Sequence, residues 1–112
     1  MEPNNWPRDA DGDVMRRLAS SGFDFEKEYE VDFNVDFDEW PPAGPAVSWL
    51  AENFENVFLH EPTDDSIGYV RIVVRGKVTY ELVTSIQRRV SSELHQFGAV
   101  CDSWGVLHGS AA

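Results

Sequence analysis

A chain of 112 residues with a formal charge of −11 has room for one hydrophobic core, and its charge alone excludes several functions. Nine Lys and Arg stand against 20 Asp and Glu, so the clustered bases that grip a phosphate backbone are missing and direct nucleic-acid binding is not expected. Cys101 is the single cysteine, which rules out an internal disulfide and fits a reducing compartment, while no stretch approaches the ~20 apolar residues of a membrane span.

The opening Met1-Glu2-Pro3-Asn4-Asn5 has neither a basic region nor an apolar run, so it does not read as a signal peptide, and the cytoplasm is the expected location. Residues 1–40 hold 12 acids and 4 bases, residues 41–66 hold 5 acids and no base, and residues 67–112 hold 3 acids and 5 bases. Such a distribution favours a protein partner with basic segments through long-range attraction.

Residues 1–10 are expected to form an irregular arm, with Trp6 packing back on the domain, and residues 11–109 to form one domain. Residues 11–21 predict a short helix with acids at its start, Val14, Met15 and Leu18 on one face, and Gly22 as its stop. Residues 29–37 are the clearest signal. Tyr29, Val31, Phe33, Val35 and Phe37 alternate with Glu30, Asp32, Asn34 and Asp36, which is a strand with one buried and one wet face.

Trp40-Pro41-Pro42 ends that strand, because proline cannot donate to a ladder. Residues 45–54 predict a helix with Pro45 in its first turn and Val47, Leu50, Ala51 and Phe54 as its apolar side. Residues 56–60 read as a short strand, followed by an acidic hairpin loop at residues 61–66. In the strand at residues 68–75, Val70, Ile72 and Val74 face one way and Tyr69, Arg71, Val73 and Arg75 the other. Residues 79–97 predict the longest helix, with Leu82, Ile86, Val90 and Leu94 at four-residue spacing and Val83 and Phe97 extending the stripe. Gly98 stops it, and residues 99–107 form a last strand around Trp104.

Without its first helix the order is β-α-β-β-α-β. That predicts an α+β, ferredoxin-like sandwich with an extra N-terminal helix. The expected sheet is antiparallel, in the order fourth, first, third, second strand, with helices on one face and the other face free for contact.

Chemistry is sparse. His60, His95 and His108 have no Cys or His partner at zinc-site spacing, so no metal site is expected. Asp9-Ala10-Asp11-Gly12-Asp13 superficially opens like a calcium loop. Val14 and Ser20 stand where such a loop needs glycine and glutamate, so a helix cap is the better account. Cys101 has no basic activator nearby in sequence and reads as a small core residue. No phosphate-binding glycine loop or nucleophile elbow is present; no catalytic residue, cofactor or enzymatic activity is expected.

What remains is a surface. Glu30, Asp32 and Asp36 share the wet face of the first strand, with Asp38 and Glu39 at its end. Cross-strand pairing with Arg71 and Arg75 is the ordinary use of such acids, at about 0.2–1 kcal/mol per pair. Contact with a basic partner is the functional one. Trp40 at the strand end and the Asp102/Trp104 block are competing contact positions, since an exposed indole anchors partners well.

Asp11-Gly12-Asp13-Val14, then Gly22-Phe23-Asp24-Phe25, the aromatic-acidic strand, and Cys101-Asp102-Ser103-Trp104-Gly105 together resemble the bacterial regulator of ribonuclease E activity B (RraB) family, from about Asp9 to His108. Ser103 stands where the last block usually has glycine, and Gly109-Ser110-Ala111-Ala112 is not the long acidic tail of that family's well-known members. The resemblance implies a small acidic ferredoxin-like protein that binds ribonuclease E outside its catalytic domain and lowers its activity. An acidic interaction module with another target, such as an immunity protein neutralising a toxin, is the alternative reading.

Overall fold

The computed structural model describes residues 6–106. Helix α1 spans Ala10–Ser20, strand β1 Glu28–Phe37, helix α2 Gly44–Asn53 and strand β2 Asn56–His60. Strand β3 spans Tyr69–Lys77, helix α3 Tyr80–Leu94 and strand β4 Ala99–Val106, with a 3-10 turn at His95–Phe97. The fold is α+β, with one antiparallel sheet in the order β2-β3-β1-β4. The arm expected at residues 1–10 ends in the helix start at Ala10, residues 1–5 and 107–112 lie outside the described residues, and His108 falls among them.

Local chemistry explains the elements. Asp9 caps α1, its Oδ1 accepting from the Gly12 amide at 2.7 Å, so the aspartate cluster is a helix cap. Arg16 donates to the carbonyls of Trp6 and Pro7 at 3.0 and 3.1 Å and pairs with Asp13, drawing the preceding segment over the helix. That segment passes so close that a Cβ at position 12 would lie 1.8 Å from the Pro7 carbonyl oxygen, which is why glycine sits inside a helical turn. Thr79 caps α3 through the Leu82 amide at 3.0 Å.

The alternation in β1 survives intact. Val31, Phe33, Val35 and Phe37 are buried, opposite Val74, Ile72 and Val70 of β3 and Val106, Trp104, Cys101 and Ala99 of β4. Ala46 and Leu50 of α2 and Val83, Val90 and Leu94 of α3 close the same cluster. Burying a side chain such as Phe33 fully contributes about 1.5–3 kcal/mol. Trp6 joins the core at 6% exposure, as the sequence predicts.

Two helix faces differ from expectation. In α2 the buried residues are Ala46 and Leu50 while Ala51 is exposed, because the helix lies only partly over the sheet. In α3 the buried line is Val83, Gln87, Val90 and Leu94, with Leu82 and Ile86 half-buried. A strict four-residue stripe drifts around a 3.6-residue helix, and the spacings of four, three and four that stay on one face include a glutamine.

Gln87 is inside because it has partners. Its Nε2 donates to the Val83 carbonyl at 2.9 Å and to Asp11 Oδ1 at 3.1 Å. The same Asp11 oxygen accepts from the Trp104 indole N–H at 2.9 Å. Tyr80 donates to Asp9 Oδ2 at 2.6 Å, and Ser91 Oγ bonds both the amide and the carbonyl of Cys101, at 2.9 and 3.2 Å. The Tyr80 hydroxyl and the Gly12 amide hold the Asp9 carboxyl below its ordinary range.

Asp11→Ala removes the acceptor of two indoor donors. We expect it to lower stability in urea unfolding by roughly 1.5–3 kcal/mol, with Asp11→Asn costing less because one oxygen remains. Gly12→Ala forces the Pro7 segment off α1 and is expected to cost about 1–3 kcal/mol in the same assay.

Candidate functional site

The face of the sheet away from the helices is built by the other half of each alternation. Glu28, Glu30, Asp32, Asn34 and Asp36 of β1 lie on it. In register, Glu30 faces Arg75, Asp32 faces Val73 and Gly105, Asn34 faces Arg71 and Ser103, and Asp36 faces Tyr69 and Val100. The pairing of β1 with β4 slips between Asn34 and Val35, whose partners are Ser103 and Cys101, so Asp102 is the extra residue of a bulge.

The expected neutralisation of Glu30, Asp32 and Asp36 by β3 does not occur. Arg71 places its guanidinium 4.7 Å from the Phe58 ring centre, and its Nε donates to His60 Nε2 at 3.4 Å. The His60 ring in turn stacks on Tyr69 at 4.6 Å. Arg75 lies 3.7 Å from Glu28, one pleat along from Glu30. The other two ion pairs among the described residues are Lys77 with Glu26 and Arg16 with Asp13. Glu30, Asp32, Asp36, Asp38, Glu39 and Asp102 therefore carry no ion pair among the described residues.

Crowding leaves a mark on Asp36. Partial burial and then the charge of Asp102 push its carboxyl above the ordinary aspartate range. Asp38 and Glu39 are exposed at the end of the strand, with the Asp38 amide bonded to the Gly98 carbonyl at 2.9 Å. The bulge thus brings Asp102 into the field of Asp36, a meeting that sequence spacing does not reveal.

Trp104 and Trp40 stand differently to this surface. Trp104 lies opposite the buried Phe33, half-buried, with its N–H committed to Asp11. It is a fastening of the fold, on the opposite side of the sheet from Asp32 and Asp36. Trp40 is half-buried, and its ring lies over Gly68, where a Cβ would come within 2.2 Å of it. The Phe58, Arg71, His60 and Tyr69 cluster escaped the sequence reading. Its signal was there: pairs two residues apart on adjoining strands of one hairpin must share a face.

Cys101 is buried, and burial with the charges of Asp102, Asp36 and Asp11 pushes its thiol up to about 12, so it stays protonated at neutral pH. No group of three or more His, Cys, Asp or Glu in metal-binding proximity occurs among the described residues. No described helix is long and apolar enough to cross a membrane.

The geometry is that of a sheet face carrying acids without ion pairs among the described residues, on a small α+β scaffold. No curated protein matches the chain. The family model described as regulator of ribonuclease activity B matches residues 8–106, a span that includes α1, the whole sheet and both partners of the Asp11–Trp104 bond. The chain belongs to the regulator of ribonuclease activity B family.

Proposed function

We propose that this protein is a non-enzymatic regulator that acts in the cytoplasm by binding the basic, arginine-rich, non-catalytic region of a ribonuclease E-type enzyme and lowering its activity. Family membership supports a regulator of ribonuclease activity. The observation that carries the choice of surface is the lack of an ion pair at Glu30, Asp32 and Asp36 of β1 among the described residues. Arg71 and Arg75, the bases nearest to Asp32, Asp36 and Glu30 across the sheet, are engaged elsewhere. We read the β1-α2-β2-β3-α3-β4 succession as ferredoxin-like with α1 added at the front, a scaffold that leaves one sheet face open.

Arginine suits this face physically. A guanidinium meets a carboxylate with two parallel N–H donors and is weakly hydrated, so it gives up its water at modest cost. Asp32, Asp36 and Asp102 would receive such groups, with Glu30, Asp38 and Glu39 steering the approach. Trp40 borders the acidic strand end. Trp104 serves the fold and contributes to binding only by holding β4 in place.

The test is a stopped-flow titration of the arginine-rich ribonuclease segment against the wild type and the Asp32→Asn/Asp36→Asn double variant at two salt concentrations. We expect the variant to associate more slowly, on the order of tenfold at low salt. Its salt dependence should be flatter, with the difference shrinking near 0.15 M, where the screening length is ~8 Å. Equal association rates at both salts would remove the β1 acids from the mechanism.

The Asp36 carboxyl supplies a second readout. A folded-state value above the unfolded one means that the folded chain binds the extra proton, so this group favours the fold at low pH and opposes it as pH rises through its folded value. Asp36→Asn is expected to raise the thermal midpoint at pH 7 and to lose that advantage as the pH falls into the carboxylate range. A midpoint difference independent of pH would contradict the raised Asp36 value that burial and then the Asp102 charge produce.

A further inference from the structure

Among the described residues, three of the four large apolar side chains most exposed to solvent lie in β2 and the loop that joins it to β3. Phe58 and Leu59 in β2 are 44% and 50% exposed, and Ile67, in the loop leading to β3, is 58% exposed. Adjacent strand residues point to opposite faces, so β2 offers an apolar side chain on each side of its backbone. It is also an edge strand, with β3 as its sole neighbour in the sheet.

Proteins usually blunt such edges with a bulge, a proline, a lysine or a covering side chain. The opposite edge, β4, has two of these devices: the bulge at Asp102, and Ser91, which occupies the amide and carbonyl of Cys101. β2 has neither. It reads Asn-Val-Phe-Leu-His, and its five residues pair with β3 in unbroken register.

We infer that the β2 edge adds an extended, basic peptide segment of a partner protein as a fifth strand, with the side chains of one face of that segment lying beside Phe58 and those of its other face beside Leu59. Charge selects the occupant. Glu52 and Glu55 precede the strand, Glu61, Asp64 and Asp65 follow it, all five are exposed, and residues 41–66 contain no base. A second copy of the chain fits poorly. Antiparallel pairing of two β2 strands about Phe58 sets Glu55 of each against Glu61 of the other, like charges at both ends. A segment alternating basic and apolar residues sets its apolar side chains on one face, beside one of the two exposed apolar residues, and its bases on the other face, within reach of the acids at both ends of β2. Its ladder bonds supply affinity and its alternate side chains supply selectivity. This border is separated from the β1 acids by β3, so the inference stands or falls apart from the surface proposed above.

The probe is acetyl-(Arg-Val)3-amide, compared with acetyl-(Glu-Val)3-amide and with an Arg-Val peptide N-methylated at alternate residues, titrated into the full chain and read by amide NMR shifts and hydrogen exchange. We expect the Arg-Val peptide to shift the amides of Asn56–His60 and slow their exchange. The Glu-Val and N-methylated peptides, and the Leu59→Lys variant, should each bind about tenfold more weakly. Phe58→Lys provides an independent substitution should Leu59→Lys not give a dispersed spectrum. Equal binding of the N-methylated peptide, equal binding of the Glu-Val peptide, no binding of the Arg-Val peptide, or shifts centred on residues 30–36 would each overturn the inference. So would a concentration-dependent dimer, lost in the Leu59→Lys variant, in sedimentation of the free chain.

Discussion

The carboxylate of Asp11 holds three elements at one point. It sits in the first turn of α1, where the helix dipole favours a negative charge, and it accepts from Gln87 of α3 and Trp104 of β4. Hydrogen bonds to a charged acceptor are worth about twice neutral ones, and here they serve the buried Gln87 amide, which also donates to the Val83 carbonyl, and the half-buried Trp104 indole. The consequences spread from there. α1 lies against α3 instead of drifting over solvent, Gln87 is tolerated on the buried line of α3, and Trp104 stays on the core side of β4. Ser91 adds a second tie between α3 and β4 just before the bulge. With the strand anchored at Cys101 and at Trp104, the extra residue Asp102 is placed between them and comes near Asp36.

This fastening also explains why the two sequence blocks that mark the chain are so far apart. Asp11-Gly12-Asp13 opens the first helix, and Cys101-Asp102-Ser103-Trp104-Gly105 closes the last strand. They form one local structure: Asp11 bonds Trp104, and Gly12 admits the Pro7 segment that leads back to the buried Trp6. An indole and a carboxylate make a directional pair, so neither is freely replaced by another residue of similar size.

Period-two alternation made β1 and β3 legible, and helical spacing with caps made α1 and α3 legible, because those signals are written in the burial of consecutive residues. The bulge was not, since it depends on which residue of β4 meets Asn34. The fate of Arg71 was hidden for the same reason. Opposite charges on adjoining strands suggest an ion pair, but Arg71 also has an aromatic ring and an imidazole within reach on β2. A guanidinium stacked on Phe58 keeps a flat, half-dry site that the open β1 carboxylates do not offer. The acidic face was therefore readable as a face, and its electrostatic state was not.

That state has a cost and a use. Partial burial of the Asp36 carboxyl and the Asp102 charge across the strand pair disfavour its ionised form, as the raised Asp36 carboxyl records. The core of β1 offsets this easily, since Val31, Phe33 and Val35 are wholly buried on the reverse side of the same strand. On the proposed function, a partner's guanidinium offsets the Asp102 charge and lowers the Asp36 value again, so part of that penalty is recovered on association. A face neutralised in advance by Arg71 and Arg75 has no such reserve, because a partner must first break internal pairs whose own worth is small. Keeping the two arginines occupied on β2 and at Glu28 is thus what leaves the carboxylates of Asp32 and Asp36 available, and it ties the aromatic half of the sheet to the behaviour of the acidic half.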